Sequence, residues 1–437
     1  MPLPRPVHDY LRKRAATAPW HIEGTARRNY RGAIVIPALA ESESLFATLD
    51  SLQSGPAALR DEFLLLVVVN HRRNASASEV TDNLCTLRKL ATAAETLPHL
   101  GWVDAASPGR ELPDKTGGVG LARKIGLDMA LQRLDWAQTP ILANLDADTL
   151  VRADYLTALC AHFANSQPGA AVVPFCHRPA DDPQQQRGIV AYELYQRGHV
   201  LGLQLAGSPY AFHTVGSTMA CRALDYVRAG GMNRRQAGED FYFLQQLAKI
   251  TGVRRVPGTV VYPSARFSRR TPFGTGRSVA QLAADTAPPR LYYDPRCYAV
   301  LNDWLRLAAQ DTRENPAELL VRAAGIHEQL VEFLRLEGIE AVWPRLYRNH
   351  RDQSNRLAAL HGWFDGLKST RLIHHLTRTV WPRQTAARAL PPLMLRAGYP
   401  APVDAESQLA VLRNHQIGPA CTDCGLPVTS TCCRVPR

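Results

Sequence analysis

Four carboxylates set as two close pairs are the residues of this chain best suited to chemistry. Asp146 and Asp148 stand one residue apart at the end of the apolar run ILANLDADT (141–149), and Glu239 and Asp240 are neighbours at the start of GEDFYFLQQLAKI. If the first run is a strand, residues i and i+2 share a side, and hard oxygens there suit Mg²⁺ or Mn²⁺ already carrying phosphate ligands. The second pair opens a helix, where the dipole favours negative charge. Basic residues accompany both pairs. Arg123 and Lys124 follow the glycine-rich stretch DKTGGVG, whose backbone N–H groups can hold an anion; neither the dinucleotide G-x-G-x-x-G nor a P-loop ending is present. Arg266, Arg269, Arg270 and Arg277 flank the loop TPFGTG, and arginine binds diphosphate bidentately, so Arg266 or Arg269 could stabilise a leaving group. Taken singly, each feature also has an ordinary reading as a cap, a turn or solvated surface.

The elements that must position these groups alternate. AIVIP (33–37) suits a buried parallel strand, followed by a loop and helical spacing at Leu45, Leu49 and Leu52. FLLLVVV (63–69) reads as a second strand ending at Asn70, with helix over Glu79–Leu97. A charged loop from Asp104 to Pro113 leads to the helix of Leu121, Ile125 and Met129. After the strand of Asp146 and Asp148 come a helix through Phe163, the strand AAVVPF, a helix over Ile189–Leu205 and an edge strand within VRRVPGTVVYP. Strands alternating with helices imply a sheet covered on both faces, with ligands at the strands' carboxyl ends.

The chain has 437 residues, 46 % of them hydrophobic, and a formal charge of +12. That charge suits nucleic acid, anionic lipid or an anionic small substrate. No nucleic acid is expected, because aromatic residues are not interleaved with the basic ones as a stacking surface requires. The apolar stretches are too short to span a bilayer, and the start lacks a signal-peptide core. Nine cysteines, an odd number, point to reduced thiols. These features lead us to expect a cytoplasmic protein, with peripheral membrane association compatible with its charge.

In order, IVIPALAESESL, GGVGLARKIGL, ILANLDADTLVRADYL, GSTMACRALDYVRAGGM and GEDFYFLQQL resemble the family 2 glycosyltransferases of the GT-A fold, over roughly residues 32–262. The resemblance implies an α/β fold with a doubly wound mixed sheet and a helical C-terminal extension. It implies an inverting transfer of sugar from a UDP- or GDP-type donor to an acceptor hydroxyl, with Mn²⁺ or Mg²⁺. By the same resemblance Pro37, Ala38 and Glu41 hold the nucleotide, with Asn70 in place of the aspartate that reads the base in many relatives. Asp146 contacts ribose or metal, Asp148 is the main metal ligand, and His213 is a candidate third ligand. Asp240 and Glu239 match the family's acidic pair, and one of them supplies the general base; Arg123, Arg266 and Arg269 are candidates to meet phosphate. The alternatives are a nucleotide-sugar-binding protein without transferase activity, or a nucleotidyltransferase.

The expected domains are an arm (1–30), the transferase domain (31–288), a helical extension (289–400) and a flexible tail (401–437). In the extension, Asn315 and Pro316 read as N-cap and first helical residue, with Glu318 completing a capping box. Leu319, Ala323, Ile326, Leu330 and Phe333 continue at helical spacing. The extension could wall the acceptor site or pair with a second copy. Cys421, Cys424, Cys432 and Cys433 are awkwardly spaced for zinc, and no metal is assigned to them.

Overall fold

The computed structural model describes residues 3–266, 290–310 and 315–418. Arg269, Arg270, Arg277 and the four tail cysteines lie outside the described residues. The chain divides into two compact units: Met1–Gln186, Thr214–Ala280 and Gln416–Arg437 form the first, and Arg187–His213 with Gln281–His415 form the second.

In the first unit the strands are β1 (Ile22–Glu23), β2 (Gly32–Ala38), β3 (Phe63–Asn70), β4 (Leu100–Ala105), β5 (Ile141–Asn144), β6 (Leu150–Val151), β7 (Ala170–Val172), β8 (Met219–Arg222), β9 (Val253–Arg255) and β10 (Val261–Tyr262). Eight of them make one sheet in the order β1-β4-β3-β2-β5-β8-β7-β9, and β6 pairs with β10. β2, β3, β4 and β5 are parallel, with Ile34 opposite Leu65 and Gly32 opposite Ile141, whereas β8 is antiparallel to both neighbours. This is the mixed α/β sheet expected from the sequence. Every residue of β3 is buried, which is why its run is continuously apolar.

From β2 the chain steps outward to β3 and β4, then returns to β5 on the other side of β2. Such a reversal opens a crevice at the strands' carboxyl ends. The helices of this half are α1 (Arg5–Lys13), α2 (Leu45–Gln53), α3 (Ala57–Arg60), α4 (Ala77–Ala94), α5 (Val119–Ala130), α6 (Tyr155–Asn165), α7 (Pro183–Leu205), α8 (Ala223–Arg228) and α9 (Glu239–Ile250). Most of α7 belongs to the second unit.

The segment expected as an arm is docked. The hydroxyls of Tyr10 and Tyr226 each donate to Asp128 Oδ1 at 2.6 Å, and the Ala16 N–H donates to Oδ2 at 2.7 Å. Lys124 completes the network, 2.9 Å from Asp128 Oδ2 and 2.8 Å from the Tyr10 hydroxyl. Asp128 is fully buried, so these contacts replace the water that a carboxylate otherwise requires. The N-terminus is therefore held against α5.

The second unit is helical around Trp304, Trp343 and Phe364, all nearly or fully buried. Asn315 caps its helix as expected, accepting from the Glu318 N–H at 3.0 Å. The periodicity from Leu319 to Phe333 is divided, however: Pro316–Ile326 and Glu328–Leu336 are separate helices, with His327 extended between them. A helix over Ala405–Ile417 stands where a flexible tail was expected. Its Arg413 reaches the fully buried Glu193 of α7 through two 2.7 Å contacts, and Arg197 meets the same carboxylate at 2.7 Å.

Asp128→Ala removes the only carboxylate in the α1 network and leaves Lys124 buried without its counter-charge. We expect a loss of about 3–5 kcal/mol in urea unfolding, against about 1.5–3 kcal/mol for Tyr10→Phe. A loss for Asp128→Ala within about 0.5 kcal/mol of wild type, the range of surface substitutions, would show that the N-terminal segment does not depend on this carboxylate.

Candidate active site

The two aspartates sit beyond β5, next to the switch point. The last ladder contact there runs from the Leu145 N–H to the Val35 carbonyl at 3.0 Å. The extended run expected through Asp148 is replaced by a turn, in which the Thr149 N–H donates to the Asp146 carbonyl at 3.1 Å. The Thr48 hydroxyl fixes this turn from α2 by donating to the Ala147 carbonyl at 2.9 Å, and Arg178 donates to the Asp148 carbonyl at 3.0 Å. A turn lets two carboxylates one residue apart diverge, and they meet different arginines.

Asp146 pairs with one guanidinium nitrogen of Arg123, whose other terminal nitrogen pairs with Glu239. The sequence suggested that Arg123 meets phosphate. The structure instead buries its side chain to 3 % exposure between two carboxylates. Helix α5 supplies the arginine, the β5 turn supplies one acid and the first turn of α9 supplies the other. Two glycines make room for this. A Cβ on Gly216 would lie 2.1 Å from Arg123 Nη2, and one on Gly120 would lie 2.3 Å from the Arg235 carbonyl in the segment leading to α9. The Gly120 position is thus filled by protein backbone, where the sequence suggested an anion.

Asp240, the second member of that pair, accepts at Oδ1 from the Phe241 N–H at 2.7 Å. Burial, and then the neighbouring Glu239 charge, push its carboxyl up to about 7, opposed by Arg123. Burial likewise raises Asp148 to about 6; Arg266 opposes the shift, while Glu41 and Asp146 add to it. Arg266 lies between Asp148 and Glu41: its Nε is 2.8 Å from Asp148 Oδ2, a terminal nitrogen pairs with Glu41, and the other donates to Ser44 Oγ at 3.2 Å. Glu41, Asp146 and Asp148 therefore share one electrostatic field.

Other expected site residues are placed as follows. Pro37 and Ala38 end β2, beside the loop of Glu41. Asn70 is 4 % exposed and its amide donates to the Ala38 and Val68 carbonyls at 3.2 and 3.0 Å, so its donor is engaged by the strand ends. His213 belongs to the second unit. Among the described residues no group of three His, Cys, Asp or Glu side chains is assembled to hold a metal. A divalent cation would rely on Asp148 and Asp146 with phosphate and water oxygens, and the accumulated negative charge around Asp148 fits such an ion. Sequence reading missed Ala40, which bends the loop after β2 at φ +51° with its N–H held by Asn83 Oδ1 at 2.9 Å. A left-handed alanine costs of order 1 kcal/mol or more and marks a loop whose shape is held by its surroundings. It also missed Ser44 and Arg178, for which no local motif gives a signal.

The raised Asp240 sets the sign of a pH effect. A carboxyl lifted from 3.8 to about 7 on folding contributes stability while protonated, and that contribution is lost as pH rises from about 4 to 7. Asp240→Asn should therefore lose less stability than the wild type over that interval, read from urea midpoints at several pH values. Parallel curves for the two proteins would contradict the shift.

No family model matches this chain, and no curated protein does. Among solved structures, it is similar to S. aureus TarS 1–349 in complex with UDP-GlcNAc at 11 % identity and a TM-score of 0.36, covering 88 % of this chain and 91 % of that one. It is also similar to the mannosyltransferase PcManGT from Pyrobaculum calidifontis in complex with GDP-Man and Mn²⁺, at 19 % identity and a TM-score of 0.35, covering 82 % and 93 %.

Proposed function

We propose that this chain is an inverting glycosyltransferase of the GT-A, family 2 type, moving a sugar from a UDP- or GDP-linked donor to an acceptor hydroxyl with Mn²⁺ or Mg²⁺. The observation that carries this reading is the joining of the two acidic motifs through Arg123 at the carboxyl-end crevice, with Asp240 left to titrate near neutrality. A base with a pKa close to the working pH combines a large ionised fraction with useful basicity.

In this reading Asp240 takes the proton of the acceptor hydroxyl as its oxygen bonds to the anomeric carbon. The carbon–oxygen bond to the nucleoside diphosphate breaks on the opposite face, so one displacement inverts the configuration. Glu239 is held by Arg123, and its charge helps keep Asp240 basic. Asp148 and Asp146 would hold the cation, which when bound neutralises charge on the departing diphosphate. The β2 loop with Pro37, Ala38 and Glu41 would receive the nucleotide, and Arg266 and Arg269 the diphosphate. No described helix is long and apolar enough to cross a membrane.

A thermal-shift screen of nucleoside diphosphates and their sugars, with and without Mn²⁺, should identify the donor, because a ligand bound only by the folded state raises the melting point. With that donor, Asp240→Asn should slow release of nucleoside diphosphate by about 10²–10⁴-fold and Asp148→Ala should lose transfer, both with intact cooperative melting. The wild-type rate should climb with pH and level off above about 7, following ionisation of Asp240. Full activity in both variants would remove the mechanism, and release of pyrophosphate would point to nucleotidyl transfer.

A further inference from the structure

The two arginines at this site differ in what they can do. Arg123 has a side chain 3 % exposed between Asp146 and Glu239, whereas the Arg266 side chain is 32 % exposed and spans Glu41 and Asp148, themselves only 10 % and 19 % exposed. We infer that Arg266 is a built-in counter-ion for Glu41 and Asp148 and that a divalent cation binds Asp148 by displacing it, so that this side chain sets the cation concentration at which the site loads. The inference rests on the cation-dependent reading above and adds the residue that governs metal loading.

The physical case comes from the contacts. Two largely buried carboxylates close together need positive charge beside them, and the planar guanidinium supplies it to both at once. Its Nε takes Asp148 Oδ2 at 2.8 Å, and its position is braced by Ser44, whose hydroxyl lies 3.2 Å from a terminal nitrogen and donates to Glu41 Oε2 at 2.9 Å. A hard divalent ion approaches carboxylate oxygen to about 2.0–2.2 Å with twice the charge. It then repels a guanidinium left on the same carboxylate. Because Arg266 has an open side, it can leave toward water, which Arg123 cannot do. Once released, the guanidinium is free for an incoming diphosphate, which favours loading of the cation before the donor.

The test is Mn²⁺ binding to the full chain without donor, read from the electron paramagnetic resonance signal of free Mn²⁺, with melting curves to show that each variant is folded. Arg266→Gln should bind Mn²⁺ about tenfold or more tightly than the wild type, the scale of losing two charge-assisted contacts. Arg266→Lys, which keeps the charge but not the fork, should shift affinity the same way by less. Arg178→Gln is the control for charge acting through space, since Arg178 contacts the Asp148 backbone carbonyl at 3.0 Å rather than its carboxylate; it should change affinity less than about threefold. Equal Mn²⁺ affinity in wild type and Arg266→Gln, or equal gains in Arg266→Gln and Arg178→Gln, would overturn the exchange and leave the cation reading standing. Absence of Mn²⁺ binding in every variant, while UDP or GDP still raises the melting point, would overturn the cation reading itself and the exchange with it.

Discussion

One buried guanidinium holds the candidate site together. Arg123 neutralises Asp146, 23 residues away, and Glu239, 116 residues away, and the deeply enclosed Arg123 and Glu239 each depend on the other's charge. An unpaired arginine at that depth costs several kcal/mol, and so does an unpaired buried glutamate. Neighbouring structure follows from this need. Gly216 and Gly120 must lack side chains, α5 must pack closely on β2 and β3, and α9 must lie against α5. The N-terminal segment has its place in the same scheme. By closing over Asp128 and Lys124 it buries these charged groups of α5, which are satisfied internally.

Much of the sheet was legible because parallel strands covered on both faces must be apolar throughout, and AIVIP, FLLLVVV and ILAN have that character. The acidic pairs were legible because side-chain type and spacing alone mark them. What sequence could not show was depth. Arg123 sits on a helix whose charged residues would ordinarily extend to water, and only contacts far along the chain reveal that it is enclosed. Asp104 reads as the start of a loop because it is charged. In the structure it lies within β4, one residue before its end, and its carboxylate accepts from the Ala106 and Ser107 N–H groups at 3.0 and 2.8 Å. Tertiary context overrode the local signal there, as it did for the helix at Ala405–Ile417, which buries Leu409 and Leu412 in the second unit's core.

The two arginines also show how one residue type can serve opposite ends. Enclosure makes Arg123 a fixed brace whose removal would leave two acids uncompensated. Partial exposure makes Arg266 a mobile charge, able to exchange its partners without unfolding anything. The division follows from where each lies in the chain: one is in the middle of a helix pressed on the sheet, the other in an irregular segment after the short β6–β10 ribbon.

The clasp on Glu193 has a bearing on how the protein is made. Its partner Arg413 lies 220 residues further along, so at synthesis rates of about 5–20 residues per second α7 leaves the ribosome roughly 10–45 s before the helix that completes its ion pair. During that interval the apolar face of α7 is on a nascent chain whose helical unit cannot yet close. Chaperone dependence of this protein should therefore concentrate in that window, and a stalled or prematurely ended chain would present an unfinished helical core rather than a smaller finished one.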